Sequence, residues 1–599
     1  MLLFNITSRQ RQSSEFAFLV TCFWSTDTDM SLPPGLLYLF HNLPSVLLPP
    51  SLVFISHKIG QSHLDIVLPI WAVVVAAFLS LPFALFFKVS YANFKNARDA
   101  EAHGAVLPPQ VYDPIPGSVS LLMMALENFK TGYPGDMFVE WAQKYGNIFN
   151  FKILFENRFF TCEPEHIKAI LATQFDNFEK GPQFQEQMKA VLGTGVFNSD
   201  GEMWKFHRAM TRPFFSKDRI SHFDIFDRHA ADALGQLRAR LREGHPVDIQ
   251  DLASRFTMDS ATEFLFSQDV RSLDAGLPYP YYSPLAELSE ARDHPANKFS
   301  RAFDDASFIN PILAAAVKRK RENSKSSEST LKFTSDREVK EGETLLDHLI
   351  NYTDDETVLR DEILNILLAG RDTTTNSITF ATYMLAEHPD VFQKLRQEIL
   401  EKVGDTKRPT FDDMRDMKYL RAVINETLRL YPAVPFNIRT TSKPVILKSN
   451  SGGRPFYLPA NSKAPYSIFL MHRRTDLWGP DAHNFDPDRF LDNRVKKYIT
   501  PNPFIFLPFN AGPRICLGQQ FAYHETSFFL IRLLQQFASI MHVPEAHPPV
   551  SRPPMEWKNG IGTKGRDKIR MKSYMTMSVM GGCWVRMEEA TPTGEPNMV

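Results

Sequence analysis

The sequence predicts a mainly α-helical protein with small β-sheets, built as one large domain behind an N-terminal transmembrane helix. Three features predict it. Ile66 to Phe87 is 22 residues without a charge. As a helix that stretch spans about 33 Å, enough for a hydrocarbon core of roughly 30 Å. Downstream of residue 163 the apolar spacing is mostly helical, over 164–172, 203–212, 223–242 and 389–403 among others. β-branched and aromatic residues gather in a few short runs, of which 148–153 and 158–162 read as a hairpin turning near Glu156-Asn157.

The elements follow in order. Residues 1–65 read as a lumenal or interfacial segment. Ser31 to Ser56 is uncharged, but Pro33, Pro34, Pro44, Pro49 and Pro50 interrupt it, which favours an interfacial or loop path over a second span. Met30 offers an alternative start, and Asn5-Ile6-Thr7 is a glycosylation acceptor if this end is lumenal. In 66–87, Pro69 and Pro82 are tolerable inside a membrane, and Trp71 sits where an interfacial aromatic belongs. Lys88, Lys95 and Arg98 follow it, whereas Lys58 is the only Lys or Arg in the 15 positions before it. The positive-inside rule therefore places everything after Phe87 in the cytoplasm. Residues 88–117 read as a linker, Pro-rich at its end (LPPQVYDPIPGS from Leu107), and 118–590 as the large domain. Within it, 321–343 is charged and Ser-rich, a solvated loop.

Composition excludes several classes. With 67 basic and 68 acidic residues the net charge is −1, so the chain is no globally basic nucleic-acid binder. Four cysteines (Cys22, Cys162, Cys516, Cys583) without a CxxC pair exclude a dense disulfide framework and a zinc ribbon. A cysteine that matters here acts alone. Gly193-Thr194-Gly195-Val196-Phe197-Asn198 approaches a dinucleotide loop but lacks its last glycine and any βαβ context, and is set aside.

The most informative stretch runs from Phe509 to Gly518, FNAGPRICLG. Its glycines let the backbone approach a ligand closely. The helix expected from Gln519 stabilises a thiolate at Cys516 through its partial positive N-terminus. Such a thiolate is a good metal or haem-iron ligand, and Arg514 is placed to meet a carboxylate. A buried cysteine acting as a small hydrophobe does not account for the flanking pattern. Upstream lie Trp204-Lys205-Phe206-His207-Arg208, and Leu368-Ala369-Gly370-Arg371-Asp372-Thr373-Thr374 midway through a helix expected over 355–386. Glu426-Thr427-Leu428-Arg429 and Phe485-Asp486-Pro487-Asp488-Arg489-Phe490 follow. Gly370 inside a helix costs about 1 kcal/mol relative to Ala and so asks for a reason. Taken alone, Arg371 and Asp372 read as a solvated helix face, and Glu426 with Arg429 as an ordinary i,i+3 pair.

Together, and in this order, these motifs resemble those of the cytochrome P450 monooxygenases, over about residues 108–585. The resemblance implies a haem b cofactor with Cys516 as axial iron ligand in a loop that includes Phe509 and Gly512. Trp204, Arg208, Arg439 and Arg514 are then the haem-propionate partners. Asp372 and Thr373 become the acid and alcohol that deliver protons to dioxygen, and Ala369-Gly370 leaves room for it. Glu426, Arg429 and Arg489 become a buried ion-pair network holding the cysteine loop. One large domain then replaces the four that length alone suggests at roughly 150 residues each.

The implied reaction inserts one atom of O2 into a lipophilic small molecule. Electrons come from an NADPH-cytochrome P450 reductase, because the chain carries no complete nucleotide-binding motif. Lys205, Arg494, Lys496 and Lys497 are candidates for the docking face. The anchor matches the microsomal members, a single-pass endoplasmic reticulum location with the domain cytoplasmic. By family position, Val196-Phe197, Ile366–Leu368, Val434–Phe436 and Met575–Met577 line the pocket, although each reads equally as core. The region after Ala369 is most similar to the fungal alkane and fatty-acid hydroxylase group, implying hydroxylation of long alkyl chains or alkylbenzenes. Tailoring of a terpenoid or polyketide is the close competitor. A haem-thiolate isomerase or dehydratase is the reading from another class, opposed by the retained Asp372 and Thr373.

Overall fold

Two long helices, α1 (Pro34–His63) and α2 (Ile70–Ala102), pack together as the first of two units, which divide between Ala102 and His103. The computed structural model describes residues 34–215, 223–288, 343–353, 355–449, 452–560 and 562–591. The expectations for Asn5-Ile6-Thr7, Cys22, Met30 and residues 321–342 lie outside the described residues. Of the two alternatives for the proline-interrupted stretch after Ser31, interfacial or loop, the loop is corrected: α1 runs straight through Pro44, Pro49 and Pro50. An apolar segment with a neighbouring helix to pack on gains more by keeping its remaining backbone bonds internal than by breaking.

The apolar helix starts at Ile70 rather than Ile66, because Pro69 stands just before it and supplies the carbonyl that Ala72 N–H and Val73 N–H bond. It also continues to Ala102, so 88–102 is helix and not linker. Val73 and Ala77, one turn apart, are buried, while Ile70, Phe78 and Phe83 are at least 70% exposed. Among the described residues α2 is the one helix long and apolar enough to cross a membrane.

In the second unit, β1 (Ile148–Ile153) and β2 (Glu156–Thr161) form the expected hairpin with a shifted turn. Ile153 pairs with Glu156, leaving Leu154 and Phe155 as a two-residue loop, both at positive φ. A tight hairpin needs left-handed backbone there to match strand twist. Glu156 stays in the strand, bonded to Arg158 and Lys463. β2 pairs in parallel with β5 (Lys463–Ser467), followed by antiparallel β4 (Phe436–Thr441) and β3 (Phe178–Glu179).

The rest is mostly helical. The helix of the acid–alcohol motif, α7 (Glu356–Glu387), runs through the middle. Asp355 caps it by accepting from Thr357 N–H and Val358 N–H, and it ends at His388 before Pro389. It packs against α6 (Ile249–Phe266), α8 (Pro389–Lys402), α9 (Lys418–Leu430) and α10 (Gln519–Gln536). Two shorter helices, α3 (Pro182–Leu192) and α4 (Gly201–Thr211), bring the Trp204 motif to this core. α5 (Asp224–Arg242) covers α6 and α10.

Candidate functional site

The cysteine loop is shaped by its backbone. Asn510 and Gly512 both have positive φ, and a Cβ on Gly512 would collide with the Leu171 carbonyl, so glycine is obligatory there. Cys516 N–H closes the loop on the Phe509 carbonyl at 3.0 Å, and the Phe509 ring rests on Tyr523 of α10. Cys516 is exposed, whereas Cys162 and Cys583 are buried, and burial pushes the Cys162 thiol up to about 12. Apolar surroundings raise the Cys516 thiol, while Gly518 N–H and the Arg208 guanidinium pull it down. Those two groups stabilise a thiolate once a metal ion holds it.

Four cations gather around this loop. Arg208 on α4 donates to the Ile515 carbonyl, one residue before Cys516. Arg514 stacks on Trp204, 4.7 Å from the ring centre, and donates to Ser199 O and the Asp200 carboxylate. Its Nε is buried without a partner among the described residues. Arg439 on β4 is 4% exposed, and among the described residues its side chain bonds only the Ile438 carbonyl. Burial, opposed by Asp200 but joined by Arg439 and Arg208, pushes Arg514 down to about 10. Lys180, half-buried, is pushed far down by burial and then by Arg439 and Arg514. Against these four cations stand two carboxylates: Asp200, which binds Arg514 and accepts from Lys180 N–H and Gly181 N–H, and Glu179, close enough to feel Asp200 and Arg514. The site thus holds a surplus of buried positive charge and an orphaned donor. It fits a cofactor that brings carboxylates of its own.

Glu426, Arg429 and Arg489 form the expected network, all at 0% exposure. Arg429 grips both oxygens of Glu426 at 2.7 and 2.8 Å, and Arg489 reaches the same carboxylate at 3.4 Å. Their remaining donors meet the carbonyls of His472, Ala482, Asn484, Trp478 and Asp481. The route to the cysteine loop is His472, a residue that sequence reasoning missed. Its Nδ1–H donates to the Arg429 carbonyl at 3.2 Å, and its Nε2 accepts Leu507 N–H at 3.0 Å, just before Phe509.

On α7, six consecutive residues, Leu368–Thr373, are half-buried between the buried runs 365–367 and 374–385. The Thr373 hydroxyl donates to the Ala369 carbonyl at 2.6 Å. Asp372 lies 3.7 Å from Arg371. Arg371 is 14% exposed and bonds Ser254 Oγ of α6, so it is not a solvated charge, whereas Asp372 keeps 32% of its surface. A Cβ on Gly370 would meet Ala261 Cβ at 3.8 Å, an ordinary contact, so helix packing alone does not demand glycine. Glu525 of α10, fully buried beside Thr374 and Ser260, also escaped sequence reasoning; burial pushes its carboxyl well above the ordinary carboxylate range.

Two nominations change. Arg494 meets Asp481, Asp486 and Asp492, each at 2.7 Å, and offers no free charge for docking. Lys496 and Lys497 are exposed, and Lys205 pairs with Glu202. Of the pocket nominees, Leu367 and Met577 are core at 0% and 1%, while Phe197 and Met575 are 37% and 40% exposed.

A cysteine loop feeding a helix N-terminus, a carboxylate-seeking cation cluster and an acid–alcohol helix together define a haem-thiolate oxidoreductase. The chain belongs to the cytochrome P450 family, whose family model, "Cytochrome P450", matches residues 113–562. Cytochrome P450 52A3-A of Candida maltosa is 36% identical over 425 residues, 65% of this chain and 77% of that protein. Cytochrome P450 52A13 of Debaryomyces hansenii is 35% identical over 80% of this chain and 94% of its own. Cytochrome P450 monooxygenase pvhE of Talaromyces variabilis is 36% identical over 65% and 75%. The protein is accordingly a monooxygenase of the P450 type, using haem iron, O2, a lipophilic substrate and a redox partner.

Proposed function

We propose that this protein is a membrane-anchored hydroxylase of long alkyl chains, in alkanes, fatty acids or alkylbenzenes. The observation that carries the reading is the pairing of the Cys516 loop and its buried cation surplus with the half-buried, acid–alcohol stretch of α7. In this reading Cys516 ligates the iron of haem b, with Phe509 and Gly512 shaping its loop. Trp204, Arg208, Arg439 and Arg514 hold the propionates, and Lys180 adds to their field. Bound haem supplies O2 activation, with the thiolate favouring O–O cleavage. The chain's own part is to hold and move protons: Asp372 and the Thr373 hydroxyl carry them to the reacting oxygen, the hydroxyl leaving its bond to Ala369 O. Glu426, Arg429 and Arg489 fix the loop.

The substrate class rests on likeness to the fungal alkane and fatty-acid hydroxylase group and on the apolar character of Phe197, Leu368, Val434 and Met575, all at least part-exposed. NADPH-cytochrome P450 reductase is the proposed electron source, and the endoplasmic reticulum the proposed membrane, with α2 its single span and the large domain cytoplasmic. Tailoring of a terpenoid or polyketide is the second reading; monooxygenases named outside the 52 group, pvhE and himC, the latter of Aspergillus japonicus, match as well as that group does. Microsomes holding the protein and a reductase, given NADPH and a panel of alkanes, fatty acids and terpenes, test this. Expected is one added oxygen on an alkyl chain, dependent on NADPH. Turnover of terpenes alone would favour the second reading, and turnover without NADPH an isomerase.

A further inference from the structure

Away from the residues assigned to haem, one histidine and three carboxylates converge where α5, α6 and the loop after α6 pack together. His229 of α5 is 2% exposed and Asp259 of α6 is 1% exposed, whereas Asp269 stands on the exposed loop that follows α6. One nitrogen of His229 and one carboxylate oxygen from each aspartate all lie within 4.8 Å of one another. Glu263, one turn beyond Asp259 on the same face of α6, is the fourth group.

His229 is held as metal-binding histidines are held. Its Nε2 lies 2.7 Å from Glu263 Oε2, and Arg228 meets the other oxygen of that carboxylate. A carboxylate that takes one ring N–H fixes the tautomer and leaves a lone pair on the other nitrogen. That nitrogen, Nδ1, makes no hydrogen bond among the described residues, although the side chain is buried.

The two aspartates lack what such a nitrogen cannot give them, a positive charge. Asp259 accepts Ser272 N–H at 2.7 Å and Leu273 N–H at 3.1 Å, bonds that orient its carboxylate without neutralising it. Asp269 accepts Arg271 N–H, but the Arg271 guanidinium pairs with Asp274 at 3.1 Å. Among the described residues, no Lys or Arg side chain forms an ion pair with Asp259 or Asp269. Burial raises the Asp259 pKa, the bonds to Ser272 and Leu273 oppose the rise, and Asp269 adds to it. A buried carboxylate beside a second one is costly until a cation joins them.

We propose that His229, Asp259 and Asp269 bind one zinc ion, with Glu263 orienting the histidine from behind. An imidazole among the ligands selects zinc over magnesium and calcium, which take oxygen. Ligand atoms on tetrahedral zinc stand about 3.4 Å apart, so a small rotation of the exposed Asp269 side chain closes the set. Water takes the fourth position on the exposed side. The ion ties α5 and the loop after α6 to α6, which packs along α7.

Full-length, haem-loaded protein in detergent is treated with a chelator, dialysed against micromolar zinc chloride, and analysed for zinc and iron. The wild type is expected to retain one zinc per haem. Asp269→Asn, a change on the exposed side, should bind zinc at least about tenfold more weakly and keep its carbon monoxide band. His229→Gln should lose the zinc as well. Because His229 is buried, thermal unfolding gives a second readout on sound protein: zinc should raise the melting temperature of the wild type with rising concentration and leave that of Asp269→Asn in place. A wild type that retains no zinc overturns the proposal. So does equal retention by Asp269→Asn, which would put the ion elsewhere, as at the His542–His547 pair with its nitrogens 2.9 Å apart.

Discussion

Neutral His472 stands between the ion-pair network and the cysteine loop, and its chemistry makes the fold sensitive to acid. Burial, reinforced by Arg429, pushes its pKa down to about 3 from an ordinary 6.5. Nδ1 donates and Nε2 accepts, so a proton on Nε2 would face Leu507 N–H with no acceptor. The sign follows. Below pH 6.5 the unfolded chain binds a proton that the folded chain refuses, so this contribution is full above 6.5 and is lost as pH falls toward 3. Its slope is at most about 1.4 kcal/mol per pH unit. Urea unfolding of the wild type should show stability falling between pH 6.5 and 4.5. His472→Asn should be less stable at pH 7 and fall less steeply over the same range. Cys516 carries the other prediction at this scale. Cys516→Ser is expected to lose the thiolate-type carbon monoxide band, and its persistence in that variant would refute the ligand assignment.

At the scale of elements, α9 and α7 each offer a variant with a definite sign. Glu426 accepts from Arg429, Arg489 and Asp486 N–H, all with no exposed surface around the carboxylate. Removing it leaves Arg429 buried without a carboxylate and Arg489 with Asp481 alone, a loss of about 3–5 kcal/mol. Glu426→Ala should therefore yield little haem-loaded protein, read from the Soret absorbance per polypeptide. Gly370→Ala should go the other way in stability. The new methyl meets only Ala261 at 3.8 Å, and helix propensity favours Ala by up to about 1 kcal/mol. If the opening beside Ala369 serves O2, turnover falls while the melting temperature rises.

The same elements show what a sequence discloses. The cysteine loop, the ExxR pair and the α7 motif were legible because each is a local pattern whose spacing carries its chemistry. His472, Lys180, Asp200 and Glu525 were not, because a lone polar residue acquires meaning only from partners far along the chain; Glu525 lies about 150 positions from Thr374. The glycine loop was legible as a motif and misleading as to type, since its acceptors sit at 361–365 on another element. The Leu154-Phe155 turn was hidden because neither residue favours positive φ. Helix α1 was hidden because proline counts against a helix in water.

At the scale of the whole molecule, the division at Ala102 separates a helical pair from a unit that contains every residue assigned to the haem site. Helix α2 leaves Ile70, Phe78, Phe83 and Phe86 at 69% exposure or more, a surface that water does not tolerate over 22 consecutive uncharged positions. The second unit encloses its own core, from Phe149 and Phe160 through Phe256 and Phe380 to Leu533, all at 0%. Membrane residence and haem loading should thus be separable. A chain beginning at His103 is expected to keep the carbon monoxide band, since Cys516, the cation cluster and the Glu426 network all lie beyond it. On centrifugation after a high-salt wash, full-length protein should stay with the membranes, because its anchor is apolar and not electrostatic. The truncated chain should move largely to the supernatant. Loss of the band on truncation would mean that the first unit supports the fold of the second. Equal retention on membranes would mean that α2 is not what holds the protein there.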